Sequence, residues 1–125
     1  MWELNRDYLN VRQIKRYAKL HRTELASCGD RIEEVIGLLN KGVSFADIRA
    51  GFIHNEGQGL FAVGNVRTPS ARESRLYFYL YFSGEELYLL GIGDKDSQQR
   101  DIAAHRRTIN RIRIDIQRKR THGEE

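Results

Sequence analysis

The sequence predicts an α+β domain in which a small antiparallel β-sheet is backed by two N-terminal helices and followed by a basic C-terminal helix. Three observations predict it. The stretch Arg75-Leu-Tyr-Phe-Tyr-Leu-Tyr-Phe82, then Ser83-Gly84-Glu85, then Glu86-Leu-Tyr-Leu-Leu-Gly-Ile-Gly93 reads as a β-hairpin. Apolar residues recur at helical spacing in two segments ahead of it. A third such segment, rich in arginine, follows it. Successive strands with helices set apart from them give a two-layer sandwich.

Within the hairpin, Leu76, Phe78, Leu80 and Phe82 share one parity and Arg75, Tyr77, Tyr79 and Tyr81 the other. Successive side chains of a strand point to opposite faces. One face therefore suits a core, and the other is a row of phenols with an arginine at one end. Aromatic residues favour strands, and Ser83-Gly84 is turn chemistry. The phenol face is expected to be open or half open, unless further chain covers it. If open, it would receive a ligand or partner.

From about Asn10 the period becomes helical. Val11, Ile14, Ala18 and Leu25 fall on one stripe, with Arg12, Lys15, Arg16, Lys19 and Arg22 on the remaining surface. This predicts a first helix over 9–26, interrupted at Ser27-Cys28-Gly29-Asp30, where Asp30 can cap a second helix. That helix carries Ile32, Val35, Ile36 and Leu39 and ends at Gly42. Met1 to Leu4 allows a short leading strand, and Ser44 to Arg49 a turn of helix. Asn55-Glu-Gly-Gln-Gly59 reads as a loop, and Leu60 to Val66 as a strand. After the hairpin, Asp96 or Ser97 can cap a helix with Ile102, His105, Ile109, Ile112 and Ile116 on one side, fraying from about Arg118. No internal repeat or second domain is visible, so residues 1–125 form a single domain.

The net charge is +4. Between Arg100 and Arg120, eight Arg or Lys residues face two acids, which favours a polyanionic partner over a merely solvated helix face only when a site supports it. Cys28 is the single cysteine, which excludes an intramolecular disulfide and a multi-cysteine zinc site. The longest apolar run is far short of the roughly 20 residues that span a bilayer. With no signal-peptide pattern at Met1, a cytoplasmic protein with no membrane association is expected. The glycines at 57, 59 and 64 do not spell a phosphate loop, because no Lys-Ser/Thr follows at the required spacing.

Residues 75–82, the tight turn, Leu87-Tyr-Leu-Leu-Gly-Ile-Gly-Asp-Lys95 and the helix after it resemble the C-terminal half of RelE/ParE/HigB-type toxins of bacterial toxin–antitoxin systems. Gly57-Gln-Gly-Leu-Phe-Ala-Val63 is similar to the strand that opens the sheet in the HigB branch. The resemblance covers residues 55–112, and 9–42 as a pattern. It implies a toxin that enters the ribosomal A site and cuts mRNA, with the RNA 2′-hydroxyl as nucleophile and no metal or other cofactor. It implies mRNA, the ribosome and a cognate antitoxin as partners. The antitoxin would cover the open face or displace the C-terminal helix.

By the same resemblance, Arg75 would contact the scissile phosphate and Lys95 would neutralise charge in the transition state. His105 or one of Tyr77, Tyr79 and Tyr81 would exchange a proton. The tyrosines could also stack on bases. Arg67, Arg72, Arg100 and Arg106 would hold RNA phosphates, and His54 is a further histidine beside the glycine loop. The strand from Leu60 to Val66 lacks the lysines that RelE-type enzymes place there, and the family's C-terminal tyrosine or histidine position falls near Asp101. These departures keep open a second reading, a non-catalytic binding module on the same fold. Such a module would be either a ParE-like inhibitor of a DNA enzyme or a nucleic-acid or protein binder.

Overall fold

In the computed structural model, residues 1–123 are described. Among them the chain forms β1 (Glu3–Asn5), α1 (Val11–Leu20), α2 (Arg22–Asn40), a 3-10 turn (Phe45–Asp47), β2 (Ile53–Gly57), β3 (Leu60–Gly64), β4 (Ser74–Tyr81), β5 (Glu86–Asp94) and α3 (Gln98–Gly123). The strands make one sheet in the order β1-β5-β4-β3-β2. The hairpin strand β4 lies in its middle. The architecture is the expected α+β one, with β2 to β5 antiparallel and β1 added parallel to β5.

Four local readings are corrected. The helix break falls at His21, not at 27–30. His21 leaves the helical region at φ −138°, ψ 50°, and Ser27 to Asp30 lie inside α2, so Asp30 caps nothing. The segment 55–57 is strand, not loop. Asn55 pairs with Phe61, and the reversal uses left-handed backbone at Gly57, Gln58 and Gly59. Phe82 leaves the sheet. It is 59% exposed and meets Trp2 edge-on at 5.5 Å. The hairpin turn uses left-handed backbone at Glu85. Finally, α3 stays helical beyond Arg118 to Gly123, and residues 124–125 lie outside the described chain.

The largest correction concerns layers. One sheet face, with Leu76, Phe78, Leu80, Leu87, Leu89 and Ile92, packs on Cys28, Ile32, Val35 and Leu39 of α2. The other face, with Leu60, Ala62, Tyr77, Tyr88 and Leu90, packs on Ile109 and Ile112 of α3. The phenol face is therefore covered, and the sandwich has three layers. The isoleucine stripe of α3 needs an apolar surface, and phenol rings supply one. Each fully buried isoleucine contributes about 2 kcal/mol.

A bulge and two glycines let α3 dock. Tyr77 pairs with Gly91 and Phe78 with Leu89, so Leu90 is the extra residue in β5. A Cβ at Gly91 would lie 2.8 Å from His105 Cε1, and one at Gly93 would lie 1.9 Å from Asp101 Oδ2. The start of α3 thus rests directly on the backbone of β5.

At the opposite edge of β5, the N-terminus of α1 takes over from β1. The Asn10 N–H donates to the Leu90 carbonyl at 3.0 Å, and the Ile92 N–H donates to Gln13 Oε1 at 3.0 Å. That satisfies the strand edge beyond β1.

Candidate functional site

Arg75 sits near one end of β4, between two glycines. Its register partners are Gly64 on β3 and Gly93 on β5. Neither register partner carries a side chain, and the space over Gly93 is taken by the side chains of Asp101 and Ser97. His54 of β2 reaches over Gly64, where a Cβ would stand 3.4 Å from its Nε2.

The result is a recess of about 440 Å³ lined by Arg31, Phe52, His54, Asn65, Arg67 and Arg75, among others. A second recess of about 210 Å³ is lined by Glu73, Arg75, Lys95 and Gln98. Arg75 is common to both.

The charges in this region are partly matched. Arg75 Nη1 lies 2.5 Å from Glu56 Oε1, and Arg67 Nη2 lies 2.7 Å from Glu73 Oε1. Arg31 donates to the Gly64 carbonyl at 2.8 Å and stacks its guanidinium 4.5 Å above the Phe52 ring. Burial lowers the pKa of His54, and the Arg75 charge lowers it further. His54 is therefore a neutral imidazole at pH 7, able to accept a proton. Arg75 and Arg67 with the neutral His54 in the first recess, and Arg75 with Lys95 in the second, are groups able to bind a phosphate. A phosphate would exchange with the more exposed Glu73 more readily than with the nearly buried Glu56.

Arg67 borders the first recess and Lys95 the second, and Arg75 lies at both. Tyr77 and His105 are part of neither recess. Tyr77 on β4 and His105 on α3 are both buried where the helix packs on the sheet, their ring centroids 4.8 Å apart. Neither the Tyr77 hydroxyl nor His105 Nε2 has a hydrogen-bond partner among the described residues. Burial drives the Tyr77 phenol far up, with the Asp101 charge adding to it, and drives the His105 imidazole down to about 4. Neither group can touch a substrate in this arrangement.

Tyr79 and Tyr81 are half-buried at the same core, and Arg113 covers the Tyr79 ring at 5.5 Å. The open stacking platform anticipated for the tyrosine row is absent because α3 occupies it.

The remaining arginines divide by role. Arg72 lies 3.0 Å from Asp94 and 2.6 Å from Asp96, and its N–H donates to Glu24 at 2.9 Å. It pins the β3–β4 loop. Arg106 donates to the Glu56 carbonyl at 2.6 Å and holds the β2–β3 hairpin. Arg100 is exposed, in a cleft between α1 and α3 that it shares with Arg16.

Sequence reasoning missed Arg31 and Glu56. Arg31 reads as the polar side of a helix, and Glu56 as part of a loop. Nothing in their local pattern marks them, because the strand pairing that unites them with Arg75 is long-range. Asp101, the position where the resemblance puts a tyrosine or histidine, is buried and accepts from Ser97 Oγ at 2.6 Å. Burial raises its pKa.

Among the described residues, no group of three or more His, Cys, Asp or Glu is placed to hold a metal ion, and no helix is long and apolar enough to cross a membrane. Searches against family models, curated proteins and solved structures return no match to this chain.

Proposed function

We propose that this chain is a RelE/HigB-like toxin that cuts mRNA on the ribosome, with the Arg75 recess as its phosphate site. The observation that carries this reading is Arg75 flanked by Gly64 and Gly93, at a recess shared with Arg67, His54 and, through its neighbour, Lys95. The scissile phosphate sits against Arg75 and Arg67. The neutral His54 imidazole takes the proton of the 2′-hydroxyl. The O2′–P bond forms and the P–O5′ bond breaks, leaving a 2′,3′-cyclic phosphate and a 5′-hydroxyl. Arg75 and Arg67 stabilise the charge on the pentacoordinate phosphorus, and Lys95 protonates the leaving oxygen. The protein works in the cytoplasm and is held inactive by an antitoxin.

His54 thus replaces His105 and the tyrosines in the proton-transfer role, because it borders the recess and they do not. The test is induced expression in a bacterial host with primer extension on abundant mRNAs. Growth arrest with cuts inside translated frames is expected, lost in Arg75→Ala and reduced at least a hundredfold in His54→Ala. Cuts that persist in Arg75→Ala overturn the assignment of the site.

A second reading, a non-catalytic module on the same fold, is favoured by two features. Arg75 is already paired with Glu56, and the buried Tyr77 and His105 leave fewer proton carriers than the RelE resemblance implies. Growth arrest without cuts would support that reading over the nuclease.

A further inference from the structure

The outer side of α3 carries arginines at 100, 107, 111 and 118. At 100° per residue these four positions fall within about 20° of one line along the helix, spread over roughly 27 Å. All four are exposed. The line lies opposite the buried Ile109 and Ile112, so docking of α3 on the sheet is what turns it outward.

A second basic line adjoins it. Arg12, Lys15, Arg16 and Lys19 stand at i, i+3, i+4 and i+7 on the exposed side of α1, and that helix contains no acid. Ile14 and Tyr17 face the core instead. The two lines approach where Arg16 and Arg100 line one cleft of about 590 Å³. The acids of that cleft are engaged elsewhere, Asp94 and Asp96 with Arg72 and Asp101 with Ser97.

We propose that this ridge, α3 continued by α1, docks the phosphate backbone of double-helical RNA. Charge complementarity selects a polyanion. The straightness of the line selects a rigid one. Binding a single strand draws on exposed aromatic rings for base stacking. Here five of the tyrosines pack in the core on the α3 side and Tyr17 in the core on the α2 side, and the exposed aromatic side chain among the described residues, Phe82, sits at the hairpin turn against Trp2. A membrane surface would call for a continuous apolar helix face; Ile14 and Tyr17 of α1 and Ile109 and Ile112 of α3 pack in the cores, and the exposed Val11, Leu20 and Ile114 are scattered and form no such face. The choice of RNA over DNA rests on the reading of function above. The ridge itself is separate from the Arg75 recess.

The experiment is fluorescence anisotropy of the full chain with a blunt 20-base-pair RNA duplex across a salt series. The same measurement is made with a DNA duplex of matching sequence and with vesicles containing phosphatidylserine. In Arg107→Ala/Arg118→Ala, affinity is expected to fall at least tenfold at 100 mM salt. The slope of log K against log salt should shrink by about two, near 0.9 for each phosphate no longer neutralised. Circular dichroism should show unchanged helix content. The charge-matched control Lys41→Ala/Arg49→Ala, at exposed sites off both helices, should bind within twofold of the parent.

Equal losses in the control would reduce the effect to net charge and overturn the proposal. So would equal or tighter binding to DNA or vesicles, or no duplex binding at 100 mM salt. Arg75→Ala separates the two readings: it should leave duplex binding intact even where it abolishes cleavage.

Discussion

Arg75 and Glu56 form an ion pair of 2.5 Å across two strands that are not neighbours, with their side chains 19% and 10% exposed. The guanidinium of β4 reaches past β3 to a carboxylate on β2.

Removing one partner leaves the other charge in a poorly solvated place. Glu56→Ala is expected to destabilise the fold by about 2 kcal/mol, between an exposed and a buried pair. The double variant Arg75→Ala/Glu56→Ala should lose less than the sum of the two single variants. Urea unfolding of all four proteins measures the coupling, and strict additivity would show that the pair contributes nothing.

His105 makes stability depend on pH in the direction opposite to a salt-bridged histidine. Its folded pKa is depressed to about 4 from an ordinary 6.5. Between these values the unfolded chain binds a proton that the folded chain does not. Stability is therefore complete above pH 6.5 and declines as pH falls towards 4, by about 3 kcal/mol from this group. Denaturation midpoints at pH 7.5 and 4.5 should differ less in His105→Gln than in the parent. An unchanged difference would place the imidazole in solvent.

Tyr77→Phe removes a buried hydroxyl that has no partner among the described residues. The variant should be as stable as the parent or up to about 1 kcal/mol more so. If Tyr77 carried the proton in RNA cleavage, the same change would abolish cuts. Primer extension with this variant therefore decides between Tyr77 and His54.

Glycines divide sharply by what surrounds them. Gly93→Ala would place a methyl 1.9 Å from Asp101 Oδ2, which rests on the first turn of α3. It should displace the helix start and cost more than about 2 kcal/mol. At Gly37, inside α2, a Cβ meets nothing within 4 Å. Gly37→Ala should stabilise by about 0.5–1 kcal/mol. Thermal melting of the two variants should move in opposite directions.

Much of the fold is legible locally. The alternation in Leu76, Phe78 and Leu80 against Tyr77, Tyr79 and Tyr81 assigns β4 and both its faces, because a strand's period is two residues. The spacing of Ile32, Val35 and Leu39, and of Ile109 and Ile112, marks α2 and α3 for the same kind of reason. The helix break at His21 was not legible. Apolar spacing runs straight past it, and Ser27 to Asp30 offers turn-like residues that the packing of Cys28 overrides. Strand β2 escaped notice because Asn55, Glu56 and Gly57 are poor strand formers, and pairing with β3 supplies what propensity does not.

For the candidate site, the sequence by itself determined that Arg75 ends a strand and that Lys95 follows the next, since both lie within one hairpin. Only the tertiary structure decided which other groups join them. Arg31 arrives from α2, and His54 and Glu56 from β2, through long-range packing and pairing, which have no local signature. It also decided the fate of the tyrosine row. Two amphipathic surfaces, the phenol face and the isoleucine stripe, are each readable alone. That they meet follows from the short Asp94–Ser97 turn and the space left by Gly91 and Gly93. Burial of both faces removes Tyr77 and His105 from solvent and turns the arginines of α3 outward.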